Sequence, residues 1–282
     1  AREPNRPVHR LQESDYLLGV HDEQRSGALR FRDPEKGSAW LNNDSTMKTP
    51  PWTSLRELEQ ASWKIQDNSA SEDPHYLEWL NLLIAPGSSI GGARPKAGVR
   101  DPGGDLWIAK FPGRTDSHDT AAWEMLVHRL AIEAGLDVAE ASLQQFGSGH
   151  RTYMTRRFDR VRASGGSQRI HFASAMTLLD HTDGDNHQSG ASYLEIVEFL
   201  MRQGAEITSD LEELWKRIVF SIAVGNTDDH LRNHGFLLTG KGWVLSPAYD
   251  LNPDPAGRGL SLNISETDNA LSWDLALEVS PY

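Results

Sequence analysis

The sequence predicts an α+β fold in two lobes, with a strand-rich N-terminal lobe over residues 1–158 and a mostly helical C-terminal lobe over residues 159–282. Short segments in which apolar and polar residues alternate, as in half-buried strands, are concentrated before residue 158. After residue 171, apolar residues recur at the spacing of amphipathic helices. A chain of 282 residues is long enough for two lobes that each bury a core.

The N-terminal lobe is predicted to contain several short strands and one strong helix. The apolar segment Tyr16–Val20 is expected to form a strand that could pair with Gly27–Phe31. Ser54 is placed to cap a short helix that follows it. The remaining elements are a second short helix at His75–Leu83, an amphipathic helix at Thr120–Ala134 that ends near Gly135, and strands at Leu106–Phe111, Ala139–Phe146 and Thr152–Phe158.

The C-terminal lobe is predicted to be helical except for one hairpin. Helices are expected at Ala173–Leu179, Ala191–Gln203 and Ser209–Val224, and a β-hairpin at Phe236–Leu245 that turns through Thr239–Gly242. The chain starts at Ala1 rather than Met, and a last predicted helix begins near Leu271, close to the final residue. We therefore expect a fragment or a processed chain, with a truncated C-terminal lobe.

Composition excludes several classes of function. The formal net charge of −12 argues against tight, unaided binding to nucleic acid or to an anionic membrane. The absence of cysteine excludes disulfides, thiolate metal sites and a cysteine nucleophile, and it fits the reducing cytoplasm in which we expect the protein. No apolar run reaches the roughly 18 residues that a membrane-spanning helix requires.

The polar segment Gly225–His234 carries the strongest functional signal. Asp228 precedes Asn233 by five positions, and Asp250 follows the predicted hairpin. Taken alone, this spacing fits a polar turn after a buried helix. The order helix, loop, hairpin and aspartate is, however, that of a protein-kinase core, in which one carboxylate receives the hydroxyl proton while an amide and a second carboxylate hold Mg²⁺. The spacing favours Asp228 over Asp229 as the base.

A loop of small residues precedes the strand that carries Lys110. Small residues let backbone N–H groups approach phosphates closely, and a lysine on a strand can supply charge to them. The loop on its own fits a flexible connector equally well, and Glu124 could either pair with Lys110 or lie on a solvated helix face. The loop residues placed at the nucleotide are Ser89, Ile90, Gly91, Gly92 and Ala93.

Other polar clusters give weaker signals. Arg156 and Phe158 end the last predicted strand of the N-terminal lobe, where a hinge backbone could meet adenine, although such charged clusters are usually solvated. His230 is grouped with the residues around the nucleotide and is expected to brace the loop rather than to bind metal. The Asp-rich segment Asp180–Asp185 lacks the ladder of ligands that a calcium loop requires.

Taken together, these segments resemble the HipA-like serine/threonine kinases of bacterial toxin–antitoxin modules. The resemblance covers most of the chain, and its motifs occur in the order of that family. They are Ser89–Lys96, Ile108–Lys110, Arg157–Arg160, His171–Ser174, Asn226–Asn233 and Pro247–Leu251.

The resemblance implies a protein-kinase-like fold that phosphorylates Ser or Thr on a protein, with ATP and Mg²⁺ as cofactors. It implies Asp228 as the catalytic base, Asn233 and Asp250 as Mg²⁺ ligands, and Lys110 as the phosphate-binding lysine. Arg156 and Phe158 would offer hinge backbone to adenine. Ser89 would be an autophosphorylation site that silences the enzyme.

The resemblance also implies partners. These are a helix-turn-helix antitoxin like HipB, operator DNA contacted mainly through that antitoxin, and a protein substrate such as an aminoacyl-tRNA synthetase. The pair Arg94-Pro95, where some relatives carry other polar residues, leaves the subclass and the target open. Two alternatives remain: a catalytically silent pseudokinase or truncated toxin that acts as an antitoxin-bound corepressor, and a small-molecule phosphotransferase.

Overall fold

A computed structural model describes residues 12–43, 49–67, 69–76, 79, 83, 94–163 and 166–280. Within these residues the helices are α1 Glu13–Gly19, α2 Leu55–Ile65, α3 Thr120–Glu133, α4 Ala175–Leu178, α5 Tyr193–Gln203, α6 Ile207–Val224 and α7 Trp273–Glu278. The strands are β1 Lys96–Arg100, β2 Leu106–Lys110, β3 Ala141–Gln144, β4 Thr152–Arg156, β5 Arg160–Ala163, β6 Gly166–Arg169, β7 His171–Ser174, β8 Gly235–Leu238 and β9 Trp243–Leu245. No helix in this part of the chain is long and apolar enough to cross a membrane.

The chain forms two compact units. The first comprises Ala1–Ala121 and Ser142–Arg157, and the second comprises Ala122–Ala141 and Phe158–Tyr282. Strands and helices occur in both, which confirms the predicted α+β class. The division of the sequence into residues 1–158 and 159–282 stays a prediction.

The first unit is organised by a four-stranded sheet in the order β1-β2-β4-β3. Strands β1 and β2 are antiparallel, as are β2 and β4. Alternate residues of the β2 segment, Trp107, Ala109 and Phe111, enter one apolar cluster with Leu55 and Leu58 of α2. Because successive side chains of a strand point to opposite faces, Lys110 lies on the other face of β2 from this cluster.

A buried carboxylate connects α2 to the segment between β3 and β4. Glu59 is 2% exposed and accepts hydrogen bonds from the backbone N–H groups of Gly147 and Ser148, at 3.1 and 2.9 Å. Its other oxygen accepts the Thr152 hydroxyl at 2.8 Å. The charge is therefore satisfied by three donors, as a carboxylate removed from water requires.

The core of the second unit lies between α5, α6 and α7 and the sheet β7-β8-β9. The segment after Asp250 contributes three core residues, Leu260, Leu262 and Ile264, each at most 1% exposed. A smaller cluster joins apolar residues of α3 and α6 to Ala248 and Leu251. The segments on both sides of Asp250 are therefore built into apolar clusters.

Several predicted elements are confirmed, and one is wrong. The predicted helices at Thr120–Ala134, Ala191–Gln203 and Ser209–Val224, the hairpin and the strand that carries Lys110 agree with the structure to within a few residues. In place of the expected strand at Tyr16–Val20, residues Tyr16 to Gly19 belong to helix α1 and Val20 directly follows it. The Asp15 carboxylate accepts the Gln12 N–H at 2.8 Å at the start of that helix, which favours helix over strand for so short an apolar run.

The predicted helix at Ala173–Leu179 is also found, but it begins two residues later than expected. Residues up to Ser174 belong to β7, which pairs with β8, and the helix starts at Ala175. Long-range pairing with β8 therefore overrides the local helical pattern. Ser54 does stand before α2, but its side chain makes no capping hydrogen bond. The predicted helix at His75–Leu83 lies mainly outside the described residues.

Candidate functional site

The candidate loop begins where helix α6 ends in a left-handed residue. Gly225 has φ +67°, a conformation that glycine adopts without a Cβ penalty, and its N–H donates to the Ser221 carbonyl. Asn226 also donates its backbone N–H to that carbonyl, at 2.9 Å, and is 1% exposed. This helix end fixes the direction in which the next residues leave the core.

Asp228 and Asn233 are joined across the loop. The Asp228 carbonyl accepts the Asn233 side-chain amide at 3.1 Å and the His230 backbone N–H at 3.0 Å. Asp228 itself is exposed, whereas Asn233 is 8% exposed. Because the amide nitrogen of Asn233 is engaged with Asp228, the side-chain oxygen is the atom that Asn233 can present to a cation.

Asp229, adjacent to Asp228, has very different surroundings. It is 3% exposed, and its Oδ2 accepts the Tyr193 hydroxyl at 2.7 Å and the Ser221 hydroxyl at 3.4 Å. Its Oδ1 lies 3.1 Å from His234 Nε2. Burial raises the pKa of Asp229, but the interactions with His234 and Tyr193 outweigh it and lower the pKa below its ordinary value. Asp229 is thus an ionised carboxylate held by the protein.

Asp250 adopts a backbone conformation that few residues other than glycine adopt. Its φ is +60°, in the left-handed region, where aspartate and asparagine are tolerated better than bulkier residues. The preceding residue, Tyr249, donates its hydroxyl to the Arg232 carbonyl at 2.6 Å and so connects this segment to the candidate loop. Strained residues of this kind persist where the surrounding structure holds them, often at functional sites.

Asn252 connects Asp250 to the candidate loop by a second route. Its side-chain amide donates to Asp250 Oδ1 at 3.1 Å, and its backbone N–H donates to Asn226 Oδ1 at 3.3 Å. Asn226 is in turn held by the Ser221 hydroxyl, at 3.3 Å from its Nδ2. The orientation of the Asp250 carboxylate is therefore coupled to the start of the loop. The motif pattern gave no indication of this role for Asn252.

His230 and Arg232 are neighbouring polar residues of the loop. His230 Nδ1 is buried and has no hydrogen-bond partner among the described residues, and its Nε2 lies 3.5 Å from Arg232. Arg232 also pairs with Asp183 at 2.8 Å. Because a buried polar nitrogen without a partner costs free energy, the Nδ1 atom of His230 is a candidate contact for a ligand.

The remaining described candidates are Lys110 and Arg156 in the first unit and Phe158 in the second. Lys110 Nζ lies 5.6 Å from the ring centroid of Tyr153, its neighbour on β4. Arg156 forms an ion pair with Asp105 at 3.0 Å. The Phe158 ring packs 5.6 Å from that of Tyr249, which places Phe158 beside the Asp250 segment. Glu124, on α3, is 4% exposed, so the alternative of a solvated helix face is wrong for it.

Residues 89–93 of the small-residue loop lie outside the described residues, so the candidates Ser89, Ile90, Gly91, Gly92 and Ala93 stay predictions. The two residues that follow them are described and are well fixed. Arg94 forms an ion pair with Asp116, which also accepts the Gly113 N–H at 2.8 Å. The Pro95 carbonyl accepts the Phe111 N–H at 2.9 Å. The C-terminal end of the loop is therefore held next to the end of β2.

The donor set fits Mg²⁺ better than a softer metal. Asn233 and Asp250 offer oxygen atoms, the ligand type that this hard cation prefers. Within the described ranges, no group of three or more His, Asp or Glu side chains is arranged to hold a metal. An ion held by Asn233 and Asp250 would therefore keep water or phosphate oxygens as its other ligands, as Mg²⁺ usually does in phosphoryl-transfer sites.

Comparison with protein families gives one match that covers most of the chain. The model of the HipA-like C-terminal domain family matches residues 88–280, about two thirds of the sequence. This range includes every candidate residue discussed above.

Similar proteins carry kinase names. The Sinorhizobium fredii protein "Putative kinase Y4mE" is 33% identical over 148 residues, which cover 51% of this chain and 33% of that protein. A Haemophilus influenzae protein named "Putative kinase" is 28% identical over 129 residues, which cover 43% of this chain and 38% of that protein. The chain thus spans little more than a third of the length of these curated relatives.

The fold resembles that of HipA from Shewanella oneidensis MR-1, solved in complex with HipB and operator DNA. The TM-score is 0.54 at 20% sequence identity, over 64% of this chain and 48% of that one. At this identity the likeness concerns the fold. It confirms the predicted kinase-like α+β class.

Proposed function

Because the chain belongs to the HipA-like C-terminal domain family, we propose that it carries the core of an ATP- and Mg²⁺-dependent protein kinase that acts on Ser or Thr. The observation that carries the proposal is the contrast between two adjacent carboxylates. Asp228 is exposed and its backbone carbonyl accepts the Asn233 amide, whereas Asp229 is buried, with the Tyr193 hydroxyl on one oxygen and His234 Nε2 3.1 Å from the other. An exposed carboxylate at this position can meet a hydroxyl group that enters from solvent.

In the proposed reaction, Asp228 accepts the proton of a Ser or Thr hydroxyl as its oxygen attacks the γ-phosphorus of ATP. The bond between that phosphorus and the bridging oxygen breaks, and ADP leaves. A single carboxylate is sufficient as the base because phosphoryl transfer depends mainly on positioning and on charge stabilisation.

Mg²⁺, when bound, would neutralise negative charge on the transferring phosphate. Asn233 and Asp250 would hold it through their side-chain oxygens, and Asn252 would keep the Asp250 carboxylate oriented. Hydrogen bonds from such supporting residues typically matter for metal affinity almost as much as the ligands themselves do.

The other candidates are assigned to the nucleotide. Lys110 would supply positive charge to its phosphates, and backbone N–H groups of residues 89–93 would approach them closely. The backbone at Arg156 and Phe158 would contact adenine. His230, the second residue after Asp228, would use its buried Nδ1, which has no hydrogen-bond partner among the described residues, toward a polar group of the nucleotide.

For the whole protein we propose a growth-inhibiting toxin that is neutralised by a helix-turn-helix antitoxin. The support is membership of the HipA-like family and the complex that the Shewanella HipA forms with HipB and operator DNA. The net charge of −12 fits contact with DNA mainly through the partner. We further propose autophosphorylation at Ser89 as the silencing step and a translation protein, such as an aminoacyl-tRNA synthetase, as substrate.

Phosphate transfer to the protein itself tests the catalytic proposal. The protein is incubated with Mg²⁺ and labelled ATP, and the labelled residue is identified by mass spectrometry. Asp228→Ala should abolish labelling, whereas Asp274→Ala, which removes an exposed carboxylate from α7 of the same unit, should retain it. Undiminished labelling in Asp228→Ala would contradict the assignment of the base.

The position of the label tests the regulatory proposal separately. Label is expected on Ser89, and Ser89→Ala should keep transfer to a second protein while losing self-silencing. Label that accumulates in Ser89→Ala to the wild-type level would contradict the assignment of that serine, although transfer itself would stand.

A further inference from the structure

Asp229 is a buried ionised group for which the proposed phosphoryl transfer has no use. Its two oxygens face different partners: Oδ2 accepts the Tyr193 hydroxyl at 2.7 Å, and Oδ1 lies 3.1 Å from His234 Nε2, within ion-pair distance but without a hydrogen bond. Each of the three residues is at most 3% exposed. A carboxylate enclosed in this way cannot meet an incoming hydroxyl. Because burying its charge costs free energy, we expect it to have a structural or functional role that offsets this cost.

The cluster is built on two rigid elements. Tyr193 is the first residue of α5, and its backbone N–H donates to the Asn263 carbonyl at 3.0 Å. Its ring meets that of His234 edge to face, with centroids 5.5 Å apart. The His234 carbonyl accepts the Ala175 N–H at 2.7 Å, at the start of α4. The Asp229 carboxylate is thus fixed to parts of the fold that are remote in sequence from the loop.

Two residues of the cluster, Asp229 and His234, are chain neighbours of the candidate residues Asp228 and Asn233. Asp229 directly follows Asp228, and His234 directly follows Asn233. The contact between Asp229 and His234 therefore closes the loop at the same two points as the hydrogen bond from Asn233 to the Asp228 carbonyl. Two contacts therefore set the separation of Asp228 and Asn233: a partly buried hydrogen bond and the buried approach of His234 to Asp229.

We propose that Asp229, held by Tyr193 and His234, is a positioning residue that sets the geometry of Asp228 and Asn233. The catalytic consequence rests on the function proposed above, whereas the anchoring of the loop does not. Displacement of a reacting group by about 1 Å can cost on the order of a hundredfold in rate. A tie that holds the loop to such tolerance can therefore affect turnover without touching the substrate.

Two isosteric variants test the cluster, with one matched control. Asp229→Asn removes the charge, and Tyr193→Phe removes only the hydroxyl that donates to it. Asp210→Asn is the control, because Asp210 is also a buried carboxylate of the second unit, 8% exposed, but it accepts the Leu245 N–H, outside the loop. All three are made in the full chain, and the folded fraction is checked by circular dichroism.

Hydrogen exchange of the nucleotide-free protein gives the first readout. The N–H groups of His230 and Asn233 donate within the loop, to the carbonyls of Asp228 and His230. Asp229→Asn should accelerate exchange of these two amides by about tenfold or more relative to amides of α5, because it lowers the cost of local opening. Asp210→Asn should leave this ratio unchanged. Equal acceleration across the unit in Asp229→Asn would overturn the anchoring.

Kinetics give the second readout. Asp229→Asn should lower kcat by about 10- to 100-fold, with a smaller change in the KM for ATP, since positioning acts on the transition state more than on nucleotide binding. Tyr193→Phe should give a weaker loss in the same direction, and it should add little in the Asp229→Asn background, because both act through one contact. Strict additivity of the two losses, or an unchanged kcat in Asp229→Asn, would overturn the catalytic role.

The two readouts separate failure of this proposal from failure of the proposed function. If the wild-type protein transfers no phosphate but the loop amides respond as expected, the function is wrong and the anchor stands. If transfer occurs and Asp228→Ala abolishes it while Asp229→Asn behaves as Asp210→Asn does, the function stands and the positioning role is wrong.

Discussion

Leu262 packs the segment after Asp250 into the core, so the stability lost when its side chain is truncated measures how strongly that segment is held. Its side chain is 0% exposed and lies in the main core cluster of the second unit. Backbone hydrogen bonds fix the chain on both sides, from the His187 N–H to the Ser261 carbonyl at 2.7 Å and from the Asn263 N–H to the Ala191 carbonyl at 3.0 Å. We predict that Leu262→Ala lowers the stability of the unit substantially.

The expected loss of stability follows from the burial of Leu262 and from the fixed backbone on both sides of it. Replacing a fully buried leucine by alanine typically costs about 2–5 kcal/mol, and the cost is highest where the surroundings cannot collapse into the cavity. Because the backbone at positions 261 and 263 is held, we expect a loss of about 3–5 kcal/mol. With a slope of about 2 kcal/mol per molar urea, this corresponds to a shift of about 2 M in the midpoint of unfolding.

Urea unfolding followed by circular dichroism measures this shift. The matched control is Leu277→Ala on α7, because Leu277 is 61% exposed and the same chemical change there should alter stability by about 0.5 kcal/mol or less. If Leu262→Ala shifts the midpoint no more than Leu277→Ala does, the segment is not a core element. In that case the packing argument for a fixed Asp250 region would be refuted.

Three further predictions concern polar contacts. Asn252→Ala removes the donor to Asp250 and should weaken the apparent affinity for Mg²⁺, measured by titration of ATP turnover, by about tenfold, whereas an unchanged titration would exclude the supporting role. The hydrogen bond to Glu195 raises the pKa of His181 against the opposing effect of burial, so its stabilisation is complete below the ordinary pKa of 6.5 and is lost as pH rises through the raised value. His181→Gln should therefore lower the melting temperature at about pH 6 and have little effect at about pH 9, and an equal loss at both pH values would contradict this linkage. Glu59→Ala leaves three donors without their acceptor and should cost about 3 kcal/mol or more in urea unfolding, and a loss below about 1 kcal/mol would show that water replaces the carboxylate.

The sequence predicts those parts of the fold that depend on local pattern. Helices α5 and α6 and the β8-β9 hairpin are long or sharply bounded, and their periodicity or turn residues identify them without knowledge of the rest of the chain. Helix α1 and the end of strand β7 were misassigned because a short apolar run fits either structure. Helix α1 was decided by the Asp15 contact at its start, and β7 by pairing with a strand some sixty residues away.

The candidate site likewise contains residues that a local pattern predicts and residues that only long-range contacts identify. Asp228, Asn233 and Asp250 can be predicted from their spacing together with the order of helix, loop, hairpin and aspartate, because both are local patterns of the sequence. Asn252 escaped notice because its role consists of two hydrogen bonds, one of them to a residue 26 positions earlier in the chain. The role of Tyr193 cannot be predicted from the sequence for the same reason, since its hydroxyl donates to Asp229 from 36 positions earlier in the chain.

The adjacent residues Asp228 and Asp229 show why the fold is needed before chemical roles can be proposed for the residues of a sequence motif. In the sequence the two aspartates are chemically equivalent, and the spacing to Asn233 gives only a preference for Asp228. The fold separates them, because Asp229 is buried beside Tyr193 and His234, whereas Asp228 is left exposed. A base must be reachable by the hydroxyl that it deprotonates, and a positioning group must not be. Exchanging the two proposed roles would require Tyr193 and His234 to release a carboxylate that is 3% exposed, whereas Asp228 already faces solvent.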